Sequence, residues 1–226
     1  IFGIAATGVV FFAIRERESP VVVAAPKRLD PKAMVEAARG FMNRVTGTRQ
    51  DFVVTFEHQL TYENGESKLI GVRIDVKERQ GRDFVISGAE AIANEKTREI
   101  NLTGSVKLMA SDGFELSTGA ASFRESDGVV RTPGAVTFKK GGMSGTGVGM
   151  TYDKNTDVPT IIDRTEVKMV DQAGAPTGEF SAGAATLDRV QNYLALERAV
   201  HVVRGEQTID ADKTKANLTD NEEALT

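Results

Sequence analysis

The sequence contains neither cysteine nor tryptophan among its 226 residues. Without cysteine the chain cannot form a disulfide, use a thiolate nucleophile, bind a metal through sulfur or carry a lipid on a lipobox cysteine. It has only two histidines, and aromatic residues make up 6% of it. A net charge of −4 gives no basic footprint of the kind that nucleic-acid-binding domains show. These shortages exclude several classes of enzyme and argue against nucleic acid as a partner.

Long hydrophobic runs are also scarce, and the clearest one is IFGIAATGVVFFAI at positions 1–14. A helix of this length covers about 21 Å at 1.5 Å per residue, short of the roughly 30 Å hydrocarbon core. We interpret residues 1–18 as the C-terminal part of a truncated transmembrane anchor, with a signal-peptide core as the alternative. The charged run 15–18 sums to zero, so the positive-inside rule predicts that the rest of the chain lies outside the cytoplasm.

Residues 19–50 are predicted to form a linker that contains one short helix. Three of the six prolines lie within 19–31, which is typical of an extended linker. Asp30 as N-cap, Pro31 at the first helical position and Gly40 at the C-terminus predict a helix over residues 31–40. This is the only helix that we expect beyond the anchor.

From about Phe52 onward, apolar and polar residues alternate, which is the period of a β-strand. Short polar turns interrupt the alternation, and Asn64-Gly65 predicts a type I′ hairpin because both central residues of that turn need positive φ. Residues 52–226 show no sustained helical period. We therefore predict an all-β fold of antiparallel strands.

An internal repeat organises these strands. ISGAEAIANEKTREINLTGSV at 86–106 aligns without a gap to LSTGAASFRESDGVVRTPGAV, which begins 30 residues later. Further copies begin at Met143 and Phe180, and each contains a small-residue strand, a polar turn and a strand that closes on valine. One hairpin cannot bury its apolar face alone, so we expect the units to stack into one elongated core.

The glycine-rich stretch GGMSGTGVGMTYD at 141–153 is the small-residue strand of the third unit. A phosphate loop would need a lysine in the Walker register and a helix behind it, and the sequence has neither here. We interpret the glycines as allowing a strand to bend or bulge, or allowing another chain or an apolar ligand to approach closely. The two histidines, His58 and His201, lie on separate units and are expected to be exposed strand residues. The pattern therefore predicts no enzyme, no metal site and no cofactor.

The segments 100–138 and 144–153 resemble the repeat of the periplasmic lipopolysaccharide-transport family that includes LptC and LptA. The resemblance covers roughly residues 50–226 and divides them into an LptC-like domain at 51–174 and continuing LptA-like repeats at 175–226. It rests on the order and spacing of these positions: Leu102, Gly104, Val106, Asp112, Gly113, Leu116, Thr118, Val129, Val136, Gly145, Gly147, Tyr152 and Asp153. The resemblance implies an open, V-shaped, twisted β-jelly roll that binds lipid acyl chains between its two layers.

The alternation along the strands indicates which side chains point inward and are candidates for a lipid-binding groove. Packing in the core is the alternative role for each of them, and in an open jelly roll the two roles merge. The candidates are Leu102, Val106, Leu108, Phe114, Leu116, Phe123, Val136, Phe138, Val167, Met169, Leu196, Val200 and Val202.

The resemblance implies an inner-membrane protein, anchored by a single span, with its bulk in the periplasm. It would receive lipopolysaccharide from an inner-membrane ABC exporter and pass it to an adjacent β-jelly-roll protein joined by edge-strand addition. Two alternatives remain open at this point. One is an envelope scaffold of β repeats without lipid cargo, and the other is a polysaccharide-processing solenoid enzyme.

Overall fold

The computed structural model of the chain describes residues 28–46, 49–79, 81–188 and 190–217. In these ranges the chain consists of strands and turns without a helix. The predicted anchor at 1–18 lies outside the described residues. The strands are β1 (Val35–Thr46), β2 (Arg49–Thr61), β3 (Glu66–Arg79), β4 (Arg82–Asn94), β5 (Glu99–Ala110), β6 (Glu115–Arg124), β7 (Val129–Lys140), β8 (Met143–Asp153), β9 (Val158–Val170), β10 (Pro176–Ala182), β11 (Ala184–Asp188), β12 (Tyr193–Arg204) and β13 (Gln207–Asn217).

All thirteen strands belong to one antiparallel sheet in which neighbours in sequence are neighbours in space. β10 and β11 both pair with β9 and with β12, so they are two pieces of one strand that is interrupted at Gly183. Within the described ranges β1 pairs only with β2 and β13 only with β12, which makes these two strands the edges of the sheet. The prediction of an antiparallel all-β fold is confirmed. The predicted domain boundary between residues 174 and 175 stays a prediction.

The helix predicted at residues 31–40 is wrong. Asp30 accepts a hydrogen bond from the backbone N–H of Lys32 (2.9 Å), but this cap closes a single turn. From Val35 the chain forms β1, which pairs with β2 from Val35↔Thr61 to Thr46↔Arg49. A ladder of backbone hydrogen bonds to a neighbouring strand outweighed the modest local preference for a helix.

The Asn64-Gly65 hairpin is present, but its predicted turn type is wrong. Only Gly65 of the pair has positive φ (84°). The N–H of Gly65 donates to the carbonyl of Tyr62 (3.1 Å), and the N–H of Tyr62 donates to the carbonyl of Glu66 (2.9 Å). This is a three-residue loop, a type I turn followed by a glycine bulge, which needs positive φ at one position only.

The long strands bend near their middles. The register shifts between Thr103 and Val106 in β5, where Gly104 has φ 77° and Ser105 φ 53°. Similar shifts occur in β4, β6, β7 and β12, and in the β8–β9 pair, where Arg164 of β9 has φ 50°. Bulges increase the local bend of a strand, and here they lie side by side across the sheet. Each bent strand therefore has two halves that run to different rims.

We name the rims by their turns. Rim A contains the turns at residues 62–65, 95–98, 125–128 and 154–157. Rim B contains the turns at residues 111–114, 141–142, 171–175 and 205–206. Arg82 begins β4 beside the 111–114 turn, as the hydrogen bond from Ser111 N–H to the Asp83 carbonyl (2.9 Å) shows, and so belongs to rim B.

The repeat predicted from the sequence positions the core. The valines that close its units, Val106, Val136, Val167 and Val200, are 1–3% exposed, and each follows the bend of its strand. They belong to β5, β7, β9 and β12. Equivalent positions of the repeat therefore occupy equivalent sites along one apolar interior.

Candidate functional site

Three apolar clusters line the interior. The N-terminal cluster is Val54, Phe56, Leu69, Val72, Ala91, Leu102 and Val106. The middle cluster is Leu116, Val136, Met150 and Ile161. The C-terminal cluster is Val167, Phe180, Ala182, Ala185, Leu196 and Val200. Phe138 packs against both the middle and the C-terminal clusters, so these two are continuous.

A cavity of about 830 Å³ opens where the middle and C-terminal clusters meet. Phe138, Val167 and Phe180 line it from the halves of the strands that end at rim B. Met150 and Ile161 line it from the halves that end at rim A. The two halves of the sheet therefore face each other across the cavity. Its volume and apolar lining match those of sites that hold small organic ligands.

Polar side chains stand at the rim B end of this cavity. They include two acids, two bases and an amide, so the mouth has no strong charge of one sign. The residues are Asp112, Lys140, Asp171, Gln172 and Arg204. An apolar chamber with a polar mouth suits a ligand that is itself amphipathic.

The glycine-rich strand β8 makes room for the side chains of its neighbouring strands. Phe138 lies opposite Gly145 in the β7–β8 pairing. A Cβ at Gly145 would collide with the Phe138 ring and would lie 2.8 Å from the carbonyl oxygen of Glu166. A Cβ at Gly147 would collide with the side chain of Ile161. Phe138 and Ile161 both line the cavity, so the glycines beside them shape the cavity wall.

A chain of charged groups runs from the cavity mouth across to the opposite rim. Lys140 Nζ lies 3.3 Å from an Asp112 oxygen, and Arg82 Nη1 lies 3.5 Å from that same oxygen. Nη2 of Arg82 donates to both carboxylate oxygens of Asp157 (2.7 and 2.9 Å). The Tyr152 hydroxyl donates to Asp157 as well (2.9 Å).

Asp112 is held as a carboxylate in this network. Partial burial pushes its pKa upward. The N–H of Phe114 and the charges of Lys140 and Arg82 outweigh that effect, so the net pKa of Asp112 is lowered. Asp112 therefore keeps its negative charge at the mouth of the cavity at neutral pH.

The thirteen groove candidates are all buried or half-buried. Four of them line the cavity, namely Phe114, Phe138, Val167 and Met169. Leu102 and Val106 belong instead to the N-terminal cluster. The structure does not bring all thirteen together at one site, and whether any of them binds lipid stays a prediction.

Sequence reasoning missed part of the cavity wall. Met143 and Met150 lie in the glycine-rich strand, where the small residues obscured the alternation. It also missed Arg82 and Asp157, which lie 75 residues apart and meet only in the folded chain. No local pattern could have identified this pair.

The two histidines lie apart from each other. His58 is half-buried in β2, and His201 is exposed in β12, where its Nδ1 lies 2.7 Å from an Asp210 oxygen. In the part of the chain that the structure describes, no three His, Asp or Glu residues meet in a way that could hold a metal. Within the same ranges, no helix has the length and hydrophobicity of a membrane span.

Comparisons with known proteins match the chain to a family model and to solved structures. A family model described as LptC, lipopolysaccharide-assembly, LptC-related, matches residues 2–170. Among solved structures, the chain is similar to LptH from Pseudomonas aeruginosa, described as the LptA homologous periplasmic component of the lipopolysaccharide transport device. The identity is 14% and the TM-score 0.43, over 53% of this chain and 93% of LptH. No curated protein matches the chain.

Proposed function

Since the chain belongs to the LptC-related family of lipopolysaccharide assembly, a family model of which matches residues 2–170, we propose that its apolar interior binds the acyl chains of lipopolysaccharide. The observation that carries this proposal is the cavity of about 830 Å³ between the two halves of the sheet. The family is one of lipid assembly and not of enzymes, which agrees with the expectation that the chain has no catalytic role.

The shape of the fold supports the proposal. Mid-strand bends in adjacent strands are what an open, V-shaped, twisted β-jelly roll requires, because each strand must contribute to both layers. The cavity lies between these layers, and Phe138 joins the clusters on either side of it. The thirteen groove candidates would then contact acyl chains in successive sections of one path.

The energetics suit transport. An acyl chain of about twelve carbons, fully buried, would contribute roughly 10 kcal/mol at about 0.8 kcal/mol per CH₂. A transport protein must release its cargo, so the groove should bury only part of each chain. The polar mouth at Asp112 and Lys140 leaves the headgroup of such a lipid in contact with water.

We place the chain in the periplasm, with residues 1–18 as a single inner-membrane anchor. In this arrangement it takes lipopolysaccharide from an inner-membrane ABC exporter and passes it to the next β-jelly-roll protein. The edge strands β1 and β13 have each one neighbour within the described ranges, so either can accept a further strand. Edge-strand addition would join the grooves of the two proteins end to end.

Photocrosslinking tests the lipid-binding proposal. A photoreactive amino acid replaces Val106, Phe138 or Val200 in turn, and purified lipopolysaccharide in detergent micelles is the probe. We expect adducts at all three inward positions. Lys107 is the matched control, because it follows Val106 in β5 but its side chain is exposed. Adducts that form at Lys107 as readily as at the inward positions would contradict a groove.

An envelope scaffold without lipid cargo is the second candidate, and the two exposed edge strands favour it. It predicts assembly that grows with protein concentration, and mass spectrometry of the purified protein that finds no bound lipid. Lipid that co-purifies with the chain, and is lost when Phe138 is replaced by Asp, would decide for transport.

A further inference from the structure

Two oppositely charged side chains with little exposed surface lie beside the cavity. Arg82 and Asp157 have only 13% and 12% of their side-chain surface exposed. Next to them, Asp112 and Lys140 belong to the lining of the cavity. Within β4, the guanidinium of Arg82 lies over the Phe84 ring, 5.1 Å from its centroid, and Ile86 of the same strand packs against the N-terminal cluster. The ion pair therefore stands beside the cavity, on a route toward the first strands.

This pair also joins the two rims. Arg82 begins β4 at rim B, whereas Asp157 lies in the 154–157 turn of rim A. Other ion pairs, such as Lys68–Glu90 at 2.9 Å, link neighbouring strands of the sheet and leave the rims independent. A contact between the rims holds the two halves of the sheet together on the side away from the bends.

We propose that the Arg82–Asp157 ion pair is a gate between the cavity and the N-terminal cluster. Closed, it confines an acyl chain to the cavity; open, it connects the two apolar compartments into one path. The gate rests on the proposed function, because transport along the molecule needs a path that continues past the cavity.

Both charged groups keep a partner when the pair separates, which makes the open state accessible. Arg82 already lies 3.5 Å from Asp112, so it can move fully onto that carboxylate. Asp157 retains the hydrogen bond from the Tyr152 hydroxyl. Breaking a buried ion pair is costly mainly because it strands a charge, and here neither charge is stranded. Two alternative pairings of one arginine give a two-state element.

The absence of cysteine allows a direct test on the full chain. Arg82 and Asp157 are both replaced by Cys, and a short bismaleimide joins the two thiols across the rims. The control is the Lys68→Cys, Glu90→Cys protein, in which the same reagent joins adjacent strands. In each background p-benzoylphenylalanine replaces either Phe138, in the cavity, or Phe52, which packs against the N-terminal cluster. Lipopolysaccharide in detergent micelles is the probe.

We expect the locked protein to form adducts at Phe138 but to lose them at Phe52, while the control forms both. The Arg82→Gln, Asp157→Asn protein lacks both charges and should give more adduct at Phe52 than the unmodified chain. This second variant tests the gate without cysteines, so the result does not depend on the cysteine variant folding correctly. Equal labelling of Phe52 in locked and control proteins would overturn the gate while leaving the cavity as a lipid site. No adduct at Phe138 in any protein would contradict the proposed function, and the gate with it.

Discussion

Gly145 offers the sharpest test of how β8 shapes the cavity, through the single change Gly145→Ala. The new Cβ would collide with the Phe138 ring and sit 2.8 Å from the backbone oxygen of Glu166. The ring can swing into the cavity, but the backbone oxygen cannot move without disturbing β9. Overpacking of this kind costs about 1–3 kcal/mol. The smaller entropy of the unfolded alanine chain returns about 0.4–1 kcal/mol, so we expect a net loss of about 1–2 kcal/mol.

Gly134→Ala is the matched control. A Cβ at Gly134 would meet no atom within 4 Å, and its φ lies outside the left-handed region. This variant should be stabilised by about 0.4–1 kcal/mol, because only the unfolded-state effect remains. With a urea slope of about 2 kcal/mol per molar, the unfolding midpoints of the two variants should differ by about 1 M.

The assay is urea unfolding, followed by far-ultraviolet circular dichroism, of the unmodified chain and both variants. A third variant, Gly145→Ala with Phe138→Leu, removes the ring that collides and should be less destabilised than the two changes added together. Midpoints that agree for Gly145→Ala and Gly134→Ala would refute the reasoning that the Phe138 ring needs a glycine beside it.

Three further predictions concern polar groups. Arg82→Gln removes the cation from both Asp157 and Asp112 and should cost about 3 kcal/mol in urea unfolding. Arg73→Gln breaks an exposed pair and should cost less than about 1 kcal/mol. Similar costs for the two variants would show that the rim contact is no stronger than a surface pair. The pKa of Asp112 is lowered on folding from its usual 3.8, so its contribution is present above that pH and is lost as the pH falls through the lower folded value. Asp112→Asn should therefore weaken the dependence of unfolding free energy on pH below about 4. An unfolding free energy that falls with acid as steeply as in the unmodified chain would contradict this. The Thr165 hydroxyl is buried and has no hydrogen-bond partner among the described residues. Thr165→Val should raise stability by about 1 kcal/mol in thermal unfolding, and a lower midpoint would reveal a partner for that hydroxyl.

Most of the fold could be predicted from the sequence because a strand's alternation is a local property. Side chains two residues apart share a face, so the inward positions of β5, β7, β9 and β12 follow from sequence pattern alone. The repeat then predicted which valines are equivalent, and all four are buried. The glycine-rich strand was also recognised, because no helix follows it to form a phosphate loop.

The errors arose where local preference met a non-local partner. The signals Asp30, Pro31 and Gly40 favour a helix, yet the segment had β2 beside it and paired with it instead. Asn64-Gly65 favours one turn type, but the register of β2 and β3 required a loop one residue longer. In each case the competing structure was stabilised by hydrogen bonds to another strand.

The sequence by itself determined the strand period, the hairpin order and the apolar residues that face inward, because each depends on residues close together in the chain. Only the tertiary structure decided that the cavity lies between the middle and C-terminal clusters and that Arg82 meets Asp157. Both depend on where neighbouring strands bend and how the two halves of the sheet then face each other. That arrangement is a property of the whole sheet, so no single segment of the sequence predicts it.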